Sequence, residues 1–330
     1  ASNNTAVGCG ALHKNTTGST NTATGQRASA CNTTGSNNTA FGHHALCATT
    51  TANDNTAVGF RAMETNTTGN TNSAIGQFAL FANTTGRFNM AIGNSALDSN
   101  TTGEANVGVG YLALGGNTTA DVNTAVGQCV LIATTTGAAN VGLGAHSGKA
   151  NTTGSCNTVL GYFTGCALTT GAQNIYAGNH AGKNATTGSN NVAIGNNAGT
   201  DAVRNITTGS NNIVLGNNSS ATAHIKIDWT VTSDLRDKTQ IKDVVHGLDF
   251  VNQITPIEYK FKKSREDATP HGPKKYGFKA QEILELEGDN PVIINNEDTD
   301  NLKLTSAHLI PVLVNAIKEL KAEIELLKNK

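Results

Sequence analysis

The chain is short of much that an enzyme of its length would use. Its 330 residues include one Trp, two Met and five Pro, and only 14% of them are charged. With 23 Lys and Arg against 24 Asp and Glu, the formal net charge is -1. No global basic field draws nucleic acid, and no acidic one draws cationic partners. No run of about 18 apolar residues exists, so no helical membrane span is expected. The six cysteines, Cys9, Cys31, Cys47, Cys129, Cys156 and Cys166, contain no CxxC pair and sit at different places in the sequence pattern. They are expected as buried small side chains. Neither a metal nor a cofactor is expected.

Charge is also unevenly placed. Residues 1–220 hold only seven Lys or Arg and six Asp or Glu, which leaves 16 basic and 18 acidic residues in the last 110. So few carboxylates in the first part supply no glycosidase acid/base pair. The step in composition divides the chain into a repeat region (1–220), a connector (221–232) and an ordinary globular segment (233–330). Residue 1 is Ala, with no signal peptide after it, and the chain opens inside a repeat. A fragment or processed form lacking an N-terminal attachment region is the expectation.

What is present in abundance is a repeat. From Ser2 the sequence recurs every 17 residues through Gly188, giving eleven units. A twelfth, Ser189–Gly209, carries four extra residues, and a thirteenth begins at Ser210. Numbering each unit from its first residue, position 3 is Asn in all 13 units, from Asn4 to Asn212, and position 7 is Gly in all 13, from Gly8 to Gly216. Position 6 is mostly aliphatic, as in Val7, Ile75, Leu143 and Ile194. Units therefore read Asn-Thr-Ala-Val-Gly, a short strand of alternating faces, and end in Thr-Thr-Gly turn chemistry.

Seventeen residues allow two short strands and two turns, one coil of a solenoid. Stacked coils place equivalent residues about 4.8 Å apart, and thirteen give a body roughly 60 Å long. The Asn column then forms a ladder of amides bonding rung to rung. The Gly column supplies a left-handed backbone or an approach that a Cβ would block. So thin a coil buries a marginal core, from which side-by-side packing of several chains is inferred. Asn-x-Thr sequons such as Asn15-Thr16-Thr17, Asn83-Thr84-Thr85 and Asn151-Thr152-Thr153 read as turn spacers rather than glycan sites. Gly-x-Gly pieces such as Gly8-Cys9-Gly10 are repeat glycines and no nucleotide fingerprint.

Units such as Asn191-Val192-Ala193-Ile194-Gly195-Asn196-Asn197-Ala198 resemble the head repeats of trimeric autotransporter adhesins, over about residues 2–220. The resemblance implies a left-handed parallel β-roll in each chain and three rolls around one axis. The family's repeats are somewhat shorter than 17 residues.

Past Ser220, Ala223–Trp229 reads as a connecting strand, Pro256–Phe261 as a strand and Tyr276–Ile283 as a turn into a helix. At the end, Ile310, Leu313, Ile317, Leu320, Ile324 and Leu327 are spaced 3, 4, 3, 4, 3 on a helix expected at about 306–329. This is the a/d seam of a coiled coil of about two and a half heptads. Ile at a with Leu at d favours dimers, but so short a coil follows the symmetry of the domains it joins. An amphipathic helix packed on its own domain gives the same pattern.

The Ser233-Asp234-Leu235-Arg236-Asp237-Lys238 start, the Gly277-x-x-Ala280-Gln281-Glu282 segment and the C-terminal helix, in that order, resemble the intramolecular chaperone domain first known from phage endosialidase tailspikes. The resemblance covers about residues 233–330. It implies a small α+β domain that trimerises, aligns the upstream chains and then severs itself between Thr232 and Ser233 with a Ser233–Lys238 dyad. Asp234, Arg236, Gly277 and Gln281 match the family motif. The chemistry is sound in principle. A serine hydroxyl needs a base, and a desolvated lysine can be one. A nucleophile beside the bond it attacks has proximity built in. The local alternative is Ser233 as a helix N-cap and Lys238 as a solvated charge.

The whole reads as a mainly β protein, a trimeric parallel β-roll followed by the chaperone domain. The expected function is a structural, adhesive fibre of phage or virus-like tail-fibre type, a homotrimer on the virion or a cell surface. A host receptor or glycan is the expected outside partner. Two rivals are a bacterial surface adhesin with an uncut trimerisation cap and a fragment of a glycan-degrading tailspike. The nine His give no site; His43-His44 has no carboxylate close in sequence, and spacing assigns no role to His271 or His308.

Overall fold

The computed structural model describes residues 1–201, 204–220, 233–262, 265–297 and 299–329. It contains two compact units, Ala1–Ser220 and Ala221–Lys330. The expected connecting strand at Ala223–Trp229, and Thr232, lie outside the described residues.

The first unit is a parallel β-solenoid. Thirteen three-residue strands, β1 (Thr5–Val7) through β13 (Ile213–Leu215), stack in sequence order into one sheet. Each pairs in parallel with the same residues of the next coil, as Thr5 with Thr22 and Val126 with Leu143. The fold class expected from the repeat is therefore present. The coil holds one strand, however, not two. Positions 9 and 11 both sit in left-handed backbone, as at Phe78 (φ 56°) and Leu80 (φ 51°), which breaks up any second strand. Hydrogen bonding between rungs continues there regardless: Leu80 N–H donates to the Ala96 carbonyl at 2.9 Å.

Position 3 builds the expected ladder. The Asn106 Oδ1 accepts the backbone N–H of Asn123 at 2.9 Å, and its Nδ2 donates to Ala120 O at 2.8 Å and to Asn89 Oδ1 at 3.2 Å. Each amide thus ties two rungs together and also joins the start of its own coil to that coil's end. A second ladder, unforeseen from the sequence, runs along position 14. Asn83 Nδ2 donates to Asn66 Oδ1 (2.7 Å) and Gly86 O (3.0 Å), and Asn100 Nδ2 repeats the contact to Asn83 Oδ1 (2.9 Å). These are the asparagines of the sequons, and Asn66, Asn83, Asn100 and Asn151 are fully buried. Threonines at position 15 form a third line, as Thr101 Oγ1 donates to Thr118 O at 3.0 Å. The ladders bond most of these buried amides in series, and only where the next coil carries Thr49, Thr134 or Leu168 is an amide oxygen, that of Asn32, Asn117 or Asn151, left without a partner.

Between the ladders runs a continuous apolar core, from Leu12 to Val214. Most rungs pair Ala at position 5 with a larger residue at position 11, as Ala74 with Leu80 and Ala91 with Leu97. From Gly148 through Gly199 position 11 is Gly, and the missing volume returns elsewhere. In the eleventh rung Tyr176 takes position 5 opposite Gly182 and is completely buried; burial pushes its phenol up to about 12. In the twelfth, Ile206, just past the four extra residues, fills the space beside Gly199. Interiors are packed to fixed density, so volume lost at one position must be supplied at another.

The cysteines are a correction. Only Cys47 is buried; Cys31, Cys129 and Cys166 are half-buried, Cys9 and Cys156 are exposed, and all six are free thiols. They occupy positions 2, 8, 9, 12 and 13, which face outward or lie at the coil's corners, whereas the interior positions 5 and 11 never carry Cys.

The second unit is a small α+β fold ending in a helix. Helix α1 (Leu248–Gln253) precedes an antiparallel hairpin of β14 (Ile257–Lys262) and β15 (Pro270–Gly277). Helix α2 (Ala280–Glu287) follows, then a two-residue antiparallel pair, β16 (Ile294–Asn295) with β17 (Lys303–Leu304), and α3 (Ser306–Lys328). Phe250, Ile283, Ile293, Ile294, Leu309 and Val312 form the core. The Glu319 carboxylate accepts the Leu248 N–H at 2.6 Å, holding α3 to the start of α1.

Where the chain leaves α2, one side chain organises the turn. The Glu287 carboxylate accepts the backbone N–H groups of Val292 (2.8 Å), Ile293 (2.7 Å) and Ile294 (3.0 Å). Ile293 and Ile294 are buried, so no water replaces a lost acceptor there. Glu287→Ala is expected to destabilise this unit by about 2–3 kcal/mol, the usual cost of orphaned buried donors near a charged partner. Faster hydrogen exchange at Ile293 and Ile294 is the check, with unchanged exchange in β1–β13.

Candidate active site

Immediately after the undescribed segment, the chain makes one turn of 3-10 helix, Leu235–Asp237. Asp234 is its N-cap, accepting the Arg236 N–H at 2.9 Å, and the Lys238 N–H closes the turn on Leu235 O. Ser233 and Lys238 therefore lie at the two ends of a single turn. Their side chains meet: Lys238 Nζ donates to Ser233 Oγ at 2.9 Å. On the same turn Arg236 grips the Asp234 carboxylate through Nε (3.1 Å) and Nη2 (2.6 Å). The Arg236 hydrogen bonds hold the Asp234 carboxyl below its ordinary value.

The alternative reading of Ser233 as a helix cap places the cap one residue early, since the capping side chain is that of Asp234. Ser233, Arg236 and Lys238 are all exposed in the single chain, and the 3-10 turn has no buried residue.

The other expected site residues lie on different elements. Gly277 ends β15, where a Cβ would come within 3.0 Å of the Tyr259 ring, so this position is a packing constraint. Gln281 is exposed on α2. His308 is engaged structurally, its Nδ1 lying 2.7 Å from Val292 O, and His271 is exposed on β15. On the solenoid, stacking supplies the carboxylate that the sequence around His43-His44 lacks: Glu64, one rung on, lies 3.0 Å from His44 Nδ1 and also pairs with Arg61. Among the described residues no cluster of three or more His, Cys, Asp or Glu could hold a metal ion.

The coiled-coil positions divide by face. Leu309, Val312 and Ala316 turn α3 into its own unit and are buried. Ile310, Leu313, Ile317, Leu320, Ile324 and Leu327 are between 40% and 70% exposed, an apolar seam that the described residues of one chain leave largely uncovered. Among the described residues no helix is long and apolar enough to cross a membrane.

The chain thus joins a ladder-bonded repeat solenoid to a small α+β unit bearing a paired serine and lysine. The model of the family Peptidase_S74, chaperone of endosialidase, matches residues 233–290, beginning at the paired serine. No curated protein and no solved structure matches the chain. The solenoid and the chaperone match together fit a tail-fibre-like protein with a C-terminal chaperone segment.

Proposed function

We propose that this chain is a structural, adhesive tail fibre whose C-terminal unit assembles three copies and then cuts the Thr232–Ser233 bond. The observation that carries the reading is the 2.9 Å contact from Lys238 Nζ to Ser233 Oγ, at the first residue of the chaperone match. In this reading the Ser233 hydroxyl adds to the Thr232 carbonyl carbon while its proton passes to neutral Lys238. The C–N bond breaks, the proton goes to the departing Ser233 amine, and an ester joins Thr232 to Oγ. Water then hydrolyses the ester, leaving a carboxylate on Thr232 and a free serine N-terminus. Both groups are exposed in a single chain. Packing of further copies around them would exclude water, the condition that favours a neutral amine. Cutting would thereby report completed assembly.

Two exposed apolar surfaces support the homotrimer. One is the seam of α3. The other is position 6 on the outer face of the solenoid strands, apolar in every coil but that of Thr24, with Phe41, Leu143 and Leu215 more than half exposed; beside it position 4 mixes Thr and Ser with aliphatic residues, and neither column carries a charge. The chaperone solves a problem that the repeat creates. Rungs that share the same Asn and Gly columns and the same short strand can pair after a slip of one whole coil, so a terminal cap must set the register first. Removing that cap afterwards makes unfolding slow to reverse into misregister and hence kinetically hard.

Intact mass and denaturing gels of freshly expressed wild type and Ser233→Ala test this. Wild type is expected to yield pieces of 232 and 98 residues and the variant to stay whole at 330. Light scattering should give three times 34.0 kDa for uncut Ser233→Ala. Two intact chains would remove the self-cutting activity and leave the unit as a permanent cap. A monomer mass would remove the homotrimer.

A further inference from the structure

We infer that Asp234 and Arg236 form a clamp that positions the Ser233–Lys238 pair within each single chain, before any assembly. The inference rests on the dyad reading above and assigns a role to two residues that take no part in its chemistry.

The argument starts from what else could hold the turn. It buries no residue, so apolar packing does not fix its shape. Its backbone bonds are few: Asp237 N–H to Asp234 O at 3.2 Å and Lys238 N–H to Leu235 O at 3.1 Å. A lone turn with two such bonds frays in water. Among the described residues, the turn's other hydrogen bonds, apart from the Lys238–Ser233 contact itself, come from one pair of side chains. Asp234 Oδ1 accepts both the Arg236 N–H (2.9 Å) and Nε (3.1 Å), while Oδ2 accepts Nε (3.1 Å) and Nη2 (2.6 Å). The carboxylate thus caps the backbone and receives the guanidinium fork together. Exposed ion pairs usually contribute little, but a bidentate arginine on a carboxylate that also caps backbone is the geometry that fixes orientation. Two residues apart, Asp234 and Arg236 lock the segment between Ser233 and Lys238, and the lock brings Nζ to Oγ. A lysine in place of Arg236 offers no planar fork and does not substitute.

Asp234→Asn, Arg236→Ala, Arg236→Lys and the double variant Asp234→Asn/Arg236→Ala, all made in the full chain, test the clamp. Each should keep the wild-type oligomeric mass and cut more slowly, on the order of 10–100-fold, the scale set by a misplaced reacting group. The double variant should be no slower than either single one, because the two side chains act as one unit. Arg236→Lys, which keeps the charge and loses the fork, should cut no faster than Arg236→Ala, a response that loss of charge alone does not give. Wild-type rates in the single variants, or losses that multiply in the double, overturn the clamp.

A second readout separates the clamp from the dyad. In Ser233→Cys, iodoacetamide should alkylate the new thiol faster than in Ser233→Cys/Lys238→Met, followed at that peptide by mass spectrometry. Adding Arg236→Ala should abolish this acceleration. If wild type never cuts, the dyad reading falls, and the alkylation rates still decide the clamp: acceleration that survives Arg236→Ala overturns it.

Discussion

Gly110→Ala should cost about 3–5 kcal/mol, while the same substitution five residues on, Gly115→Ala, should cost less than about 1 kcal/mol. Gly110 holds φ at 129°, which side-chain-bearing residues rarely adopt, and a Cβ built there would lie 2.4 Å from the carbonyl oxygen of Gly127 in the next coil. That oxygen is backbone and cannot step aside without opening the rung. At Gly115 the nearest neighbours of a new Cβ would be the Leu112 Cδ2 at 3.3 Å and the Asp98 Oδ1 at 3.4 Å, flexible ends that can yield. Because each coil contacts only its neighbours, the damage should be local. Hydrogen exchange should accelerate at Val107–Val109 and Thr124–Val126 before distant strands respond. Denaturation midpoints for the two variants that agree within 1 kcal/mol would show that the Gly column is not held by this close approach.

The second large effect concerns volume exchange inside one coil. Tyr176→Ala should cost about 3–5 kcal/mol, the range for emptying a fully buried aromatic site. Gly182→Leu alone should also destabilise, because a Cβ there would lie 2.7 Å from the Tyr176 ring. Made together, the two should cost less than either alone. The double variant recreates the arrangement of Ala74 with Leu80. The left-handed backbone at Gly182 (φ 58°) is one that leucine already occupies at the same position in Leu46, Leu80, Leu97 and Leu114. A double-mutant cycle by equilibrium denaturation should therefore return a favourable coupling of about 3 kcal/mol or more. Simple additivity would mean that Tyr176 and Gly182 do not share the space.

These cases show what could and could not be seen in the sequence. Asn at position 3 and Gly at position 7 never change, so their demands were legible as a ladder and as a special backbone. The position 14 ladder was hidden because its asparagines look like turn residues, and Thr49, Thr134, Leu168 and Ala185 interrupt it. The Tyr176–Gly182 exchange was illegible because it links two positions whose substitutions look unrelated until the coil brings them together. His44 and Glu64 are 20 residues apart and meet only through stacking. The pairing of Ser233 with Lys238 was available only as what the family resemblance implies, and the intervening 3-10 turn and the Asp234–Arg236 contact that shapes it were not legible. Nor could outward-facing cysteines be told from buried ones without knowing which corner of the coil each occupied.

The buried amides of position 14 also set a condition on where this chain can be made. Asn83 and Asn151 stand in sequons, and each uses its side-chain nitrogen to donate into the ladder or to a coil-closing carbonyl. A secretory pathway that attaches sugar during translation would modify that same nitrogen before the coil closes. The attached oligosaccharide could neither enter the interior nor leave both N–H donors of that nitrogen in place, so glycosylation at these sites and completion of the coil exclude each other. A producing cell with such machinery would accumulate sugar-bearing chains that cannot stack, whereas one without it reads the same Asn-Thr-Thr triplets as nothing more than a corner.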